Sequence, residues 1–379
     1  MAVAVICEFN PFHNGHRYIL NQAKKLSGEP VIAIMSGSFT QRGEVAVTDK
    51  FTRARIALQN GADLVVELPA FGTIACAERF AKVGVSIAKA FETVNYLAFG
   101  CECDDIDSLY KLIEAKENSE VNELVKYKMS KGDYYPRAFE SAVSEIYGAD
   151  TAKLLKGANN VLGVEYLSSL KGSDIQPLPI RRIAVEHDSD IVNMEYASAS
   201  YIRSRIRSGK KADKFMPCSN FEITHPINLE SAVLYKLRSM SAYDFSALPE
   251  VSEGIKNRFV QAVKQNVTVD GIIDAVKTKR YTRARLQRIV AAAFLGVSDK
   301  LQRNEAMYVR VLGFTNEGAR QLKSCKLPVV TSVAKAFEYL DETAQKSLKL
   351  DIFATDIASL AFDNRKKTGL DYTNPIIKI

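Results

Sequence analysis

The chain has 379 residues, 47% apolar and 25% charged, with a net charge of +7. That length and balance exclude a disordered polypeptide and allow a substantial core, divided between two domains. No apolar run approaches a membrane span, Met1 leads straight into an apolar strand, and six scattered cysteines form no pairing framework. A cytoplasmic, reducing location is therefore expected, with no membrane and no stable protein partner implied.

The chain opens on the apolar run Ala2–Ile6, which feeds Cys7-Glu8-Phe9-Asn10-Pro11-Phe12-His13-Asn14-Gly15-His16; a helix is predicted from Arg17. Such a strand-to-helix turn aims backbone N–H groups and the positive end of a helix dipole at an anion, and Gly15 lets a phosphate approach the chain. His13 and His16, two of only four histidines, are spaced to face one ligand and donate to a phosphate as negative charge grows on it. A helix start capped by Asn10 with solvated histidines is the bland reading.

Next come a strand over Val31–Met35 and the loop residues Ser36-Gly37 and Gln41-Arg42-Gly43, a composition suited to closing over substrate. Thr48-Asp49 caps a helix with Lys50 in its first turn. Strand Leu64–Leu68 is flanked by Asp63 and ends near Glu67; either could be a general acid or base, but the pattern favours a turn residue at Asp63 and, at Glu67, a carboxylate for backbone donors or a metal. A helix from Ala77 and strand Tyr96–Gly100 follow, and Gly100 leaves room for adenine or ribose on the backbone. Alternation of this kind predicts βαβ units in a parallel sheet with the first strand central and the ligand at its carboxyl end. Residues 104–172 read as mostly helical, with Tyr134-Tyr135-Pro136 opening one helix and Gly148 closing it. Cys101 and Cys103 form C-x-C without the further ligands a metal site needs.

Gln176–Ala184 is strand-like, and Ser198-Ala199-Ser200-Tyr201-Ile202-Arg203 leads into a basic helix. Hydroxyls, N–H groups and a guanidinium there suit a departing pyrophosphate. A domain boundary is predicted at 208/209. Beyond it, helices are expected over Ile227–Met240, Val251–Val263 and Ala275–Leu295, then short strands at Tyr308–Phe314 and Leu327–Thr331, each followed by a helix. Residues 206–379 carry 28 Lys and Arg against 18 Asp and Glu, whereas 1–205 carry 23 against 26. A basic second half suggests a polyanion, with RNA the first candidate and solubility the bland reading. Lys277, Lys279, Arg280, Arg283, Arg285 and Arg288 are its densest stretch, and Tyr281 among them could stack on an unpaired base.

The H-x-G-H segment resembles that of the nucleotidyltransferase superfamily related to class I aminoacyl-tRNA synthetases. Cys7 stands where the general pattern has glycine, and with Met35–Glu44, Gly61–Pro69 and Asn159–Gly163 this is similar to one branch, the tRNA(Met) cytidine acetate ligases. The resemblance implies an α/β Rossmann-like sheet over 1–208 and a mainly helical, tRNA-binding domain over 209–379. It implies His13 and His16 as catalytic residues. It further implies ATP contacts at Cys7, Glu8, Phe9, Asn10, Pro11, Phe12, Asn14, Gly15, Gly100, Asn159, Asn160, Arg181, Arg182, Ser198, Ser200 and Arg203, leaving open which member of each Asn and Arg pair faces the nucleotide. Arg42 joins the basic stretch as a tRNA contact. Lys128-Met129-Ser130-Lys131 resembles the mobile ATP loop of class I synthetases, but Ser198–Arg203 already fills that role.

The implied reaction joins acetate to ATP, Mg²⁺ accompanying the triphosphate and no protein metal site expected, and passes the acetyl group to N4 of the wobble cytidine of elongator tRNA(Met). An adenylyltransferase acting on a small phosphate ester is the alternative, and a non-enzymatic RNA-binding protein a third reading.

Overall fold

The computed structural model describes residues 1–103, 106–182, 195–252 and 254–379. Residues 183 and 184 of the strand predicted over 176–184 lie outside the described residues. Among the described residues eight strands form one sheet: β1 (Ala2–Cys7), β2 (Val31–Ser36), β3 (Leu64–Leu68), β4 (Val94–Cys101), β5 (Gln176–Arg181), β6 (Val309–Phe314), β7 (Val329–Val330) and β8 (Ile377–Lys378). Their order is β5-β4-β1-β2-β3-β6-β7, with β8 also paired to β6. The first strand is interior, as expected, parallel to β2 with Cys7 opposite Met35 and to β4 with Val5 opposite Ala98.

Alternation decides which face each side chain takes. Ala2, Ala4, Ile32, Ile34, Leu64 and Val66 enter one apolar cluster, while Val3, Val5, Val31, Ala33, Met35 and Val65 enter another. Both faces are thus covered, which is why these strands read as continuous apolar runs. α1 (Asn14–Ser27) follows β1, and α2 (Lys50–Gln59) follows the loop after β2. Among the described residues no helix is long and apolar enough to cross a membrane.

Three findings differ from the sequence-based expectation. The sheet runs across residue 208: β6 lies antiparallel to β3, with Leu64 opposite Phe314 and Glu67 opposite Arg310. The apolar cluster continues with it, through Leu237, Phe259, Ile272 and Ile289. The helix predicted over Ala275–Leu295 is two, Val269–Val276 and Arg283–Leu295. Thr282 caps the second by accepting from the Arg285 N–H, and a bridge joins Thr278 to Tyr281 between them; hydroxyl side chains competing for backbone donors end a helix whose apolar period continues. Finally, α1 starts at Asn14 rather than Arg17.

Candidate active site

The cap that starts α1 is unusual, because His13 supplies it. Its Nδ1 accepts from the Gly15 N–H at 3.1 Å, while His16 Nδ1 accepts from the His13 N–H at 3.3 Å, closing a reciprocal box. The two rings stack with centroids 3.7 Å apart and 23° between planes. A Cβ at Gly15 would lie 2.9 Å from His13 Cε1. The glycine of H-x-G-H is therefore needed for the cap itself, not only for a ligand's approach.

Because each Nδ1 accepts a backbone N–H, each imidazole is neutral and carries its proton on Nε2. The surroundings agree. Burial, then the charges of Arg182 and Arg203, pulls His13 down to about 3. Burial, then His13 and Arg182, holds His16 well below the imidazole range, with the Pro11 carbonyl opposing. A neutral pair at a helix N-terminus donates to phosphate without changing charge through the physiological range. The sign for stability follows: an imidazole whose folded pKa is depressed contributes stability above its unfolded value near 6.5, lost as pH falls toward 3. We expect the His13 imidazole signal not to titrate between pH 8 and 5. Denaturant titrations at pH 7 and 5 should show acid destabilisation that is reduced in His13→Gln.

The rest of the turn supports the pair. Phe9, at φ +49°, and Phe12 are buried, meet edge to face at 4.8 Å, and approach the His16 ring at 5.1 and 5.8 Å. Cys7, buried beside them, donates to the Ile34 carbonyl at 3.6 Å, and burial raises its thiol pKa. Their side chains form the apolar floor under His16, and Pro11 is buried with them. Asn10 accepts from Val47 N–H at 2.7 Å and Asn14 donates to the Glu195 and Lys214 carbonyls, so both amides pin neighbouring loops. Glu8 accepts from the Gln41 N–H at 2.6 Å, tying the loop after β2 to the end of β1; burial raises its pKa against the pull of Arg203, Arg53 and Arg42.

His13, Gly15 and His16 line a cleft with Tyr18, Ile19, Arg182, Tyr196 and Ala197. The two open pairs resolve in part. Arg182 faces this cleft, whereas Arg181 is exposed at the end of β5. Asn160 is buried, accepting from the Glu102 and Cys103 N–H groups, while Asn159 donates to the Glu102 carboxylate. A Cβ at Gly100 would lie 2.9 Å from Ile19 Cδ1 and 3.2 Å from Arg182 Cγ, so this glycine makes room for α1 and the arginine stem. On the far side, Ser198 caps the Ala199–Arg207 helix and bonds the Ser200 hydroxyl at 3.0 Å. Arg203 donates to the Asn10 carbonyl at 2.8 Å, joining that helix to the H-x-G-H turn.

Sequence reasoning missed Arg53. Fully buried on α2, it donates to the carbonyls of Glu8, Ser36, Gly37 and Thr48, gathering the carboxyl ends of β1 and β2. Lys50, expected merely in a first turn, is fully buried too. It lies 2.7 Å from Glu67 and 2.9 Å from Asp371, and Arg310 reaches the same two carboxylates at 3.2 and 2.7 Å. Glu67 thus faces two cations rather than a metal or backbone donors, and its carboxylate fills the space a side chain at Gly37 would need. Asp63 does accept a backbone donor, Val31 N–H at 2.9 Å, and pairs with Lys24.

The basic stretch divides. Lys277, Lys279 and Arg280 are exposed on the turn before the Arg283–Leu295 helix. Arg283 pairs with Asp270 and Asp274, Arg288 clasps Glu250 through two bonds of 2.6 Å, and Arg285 donates to the Glu250 carbonyl while covering the Tyr281 ring at 5.3 Å. Exposed Arg42 sits in the loop after β2, whose Gly43, at φ +82°, packs against Gln287 and Ala291 of that helix. Lys128 is held by Glu145 and Lys131 by the Tyr127 ring, at the end of the Ser119–Ser130 helix.

The HIGH Nucleotidyl Transferase family model matches residues 1–372. The chain is similar to proteins named tRNA(Met) cytidine acetate ligase from Thermoanaerobacter sp., 35% identical over 100% of this chain and 99% of the relative. The protein of that name from Acetivibrio thermocellus is 32% identical over 99% of each chain. Among solved structures it resembles Thermotoga maritima TmcAL, 28% identical over 100% of this chain and 99% of that one. The TM-score is 0.91 for the apo form and 0.89 for the form bound with alpha-thio ATP. The stacked histidines, the sheet that carries them and these full-length likenesses lead to one conclusion: the chain belongs to the HIGH nucleotidyl transferase family, in its tRNA(Met) cytidine acetate ligase branch.

Proposed function

We propose that this protein activates acetate with ATP and acetylates N4 of the wobble cytidine of elongator tRNA(Met). The observation that carries this reading is the neutral, stacked His13–His16 pair at the N-terminus of α1, in one cleft with Arg182. Its two Nε2–H donors, the helix dipole and the guanidinium meet the α-phosphate of ATP. An acetate oxygen attacks that phosphorus, the bond to the β-phosphate oxygen breaks, and pyrophosphate leaves toward Ser198, Ser200 and Arg203. Charge accumulating on the α-phosphoryl oxygens is stabilised by donors already oriented, so little reorganisation is needed. The cytidine N4 then attacks the acetyl carbonyl, AMP departs, and the nitrogen gives up a proton. The acyl-phosphate bond is already activated, so no cysteine nucleophile is required.

Mg²⁺ enters with the triphosphate as part of the substrate. Among the described residues no three His, Cys, Asp or Glu side chains group so as to hold a metal ion. Residues 209–379 supply the tRNA surface in this reading, with Lys277, Lys279 and Arg280 exposed and the paired Arg283, Arg285 and Arg288 stiffening the helix behind them.

The test is direct. Labelled acetate, ATP and tRNA should yield label in cytidine, with AMP and pyrophosphate as products; label arising only from acetyl-coenzyme A would reject the reading. Reversing Lys277, Lys279 and Arg280 to Glu should raise the KM for tRNA, by about tenfold or more at low salt. ATP binding should stay unchanged. An unaltered tRNA KM would move the RNA surface elsewhere.

A further inference from the structure

One arginine beside this site has donors and nothing to give them to. Arg207 lies four residues after Arg203 on the Ala199–Arg207 helix, which puts both on one face. Arg203 fixes that face against the H-x-G-H turn through the Asn10 carbonyl. The Nε and Nη2 of Arg207 are both buried, and neither meets an acceptor. These two nitrogens form one edge of the guanidinium, the edge that grips two oxygens of a phosphate or carboxylate side by side. Buried donors left unsatisfied are costly, and two on one edge of a guanidinium are suited to an anionic ligand.

The neighbours say which kind. Glu44, in the loop after β2, lends negative potential, and Arg203 lends positive potential. Two arginines one helical turn apart, with the hydroxyls of Ser198 and Ser200 at the start of the same helix, place several phosphate donors on one element. Seclusion from water suits a ligand group that enters deeply, as the tail of a nucleotide does, more than a backbone crossing the rim.

We propose that Arg207 clasps the terminal phosphate of ATP, and afterwards the leaving pyrophosphate, through its Nε–Nη2 edge. The inference rests on the ATP-dependent reading above and adds to it a residue beyond the Ser198–Arg203 segment. Glu44 supplies the nearby negative charge that acts on this guanidinium, and an incoming phosphate competes with it.

The test compares ATP, AMP and pyrophosphate on the full chain and on Arg207→Met and Arg207→Lys. ATP and pyrophosphate affinity, read by calorimetry, should fall about tenfold to a hundredfold in Arg207→Met. AMP affinity should be unchanged, and Arg207→Lys, which keeps the charge but loses the fork, should recover only part of the loss. Unchanged AMP affinity also reports that the variant is folded, and the smaller Lys substitution guards against a Met variant that is not. Equal ATP and pyrophosphate affinity in wild type and both variants would overturn the proposal. So would an effect confined to the tRNA KM, which would assign the fork to RNA. A wild-type chain that binds none of the three would instead reject the nucleotide reading itself.

Discussion

His16→Ala should reduce kcat for acetate-dependent AMP formation by about 10²–10³-fold, the usual loss when one preoriented donor to a developing oxyanion is removed. ATP affinity should change far less. In the proposed reaction the ring would donate most strongly when charge accumulates on the α-phosphoryl oxygens, a condition of the transition state and not of bound ATP. His16 also stacks on His13 and accepts from its N–H, so part of the loss comes from a looser cap. His16→Gln keeps an acceptor near that N–H and separates the two contributions: recovery of stability without recovery of kcat assigns the role to donation. Loss in ATP affinity equal to the loss in kcat/KM, with kcat unaltered, would make the pair a ground-state contact only.

The second large effect concerns stability. Lys50→Met should destabilise the fold by about 3–5 kcal/mol, the range for breaking a buried ion pair from one side. The side chain is fully buried, and its removal leaves Glu67 and Asp371 sharing Arg310 alone. Asp351 adds to the strain. Burial and the neighbouring Glu67 already push its carboxyl up to about 7, against the pull of the Ala70 N–H, the Tyr308 hydroxyl and Lys50 itself. Denaturant titration reads the loss. Pairing Lys50→Met with Glu67→Gln should return part of it, because a neutral amide no longer needs the ammonium; a double variant no better than the single would show that packing dominates.

Much of the sheet was legible because β1 to β4 are apolar runs of the right length between helical periods, and H-x-G-H falls where the first run ends. The histidine cap was not legible. An imidazole seldom caps a helix, so the sequence pattern points to a start at Arg17, three residues late. Lys50 and Arg53 were hidden by their chemistry, since a cation within a helix reads as a solvated one until its carboxylate or carbonyl partners are known. Those partners, Asp371 and the ends of two strands, are distant in sequence. The gap at 277–282 escaped because the apolar spacing resumes in phase beyond it. Inward-facing Arg182 could not be told from Arg181, since a strand edge gives no sign of which neighbour the cleft will take.

The antiparallel pairing of β6 with β3 sets a timetable for synthesis on the ribosome. β1 to β5 are complete by Arg181, yet the free side of β3 stays bare until Phe314 emerges. Throughout that interval the nascent polypeptide presents an unpaired strand border, apolar except for Glu67, capable of recruiting another chain. The intervening helices, which pack on the same apolar cluster, are the first material available to shield it.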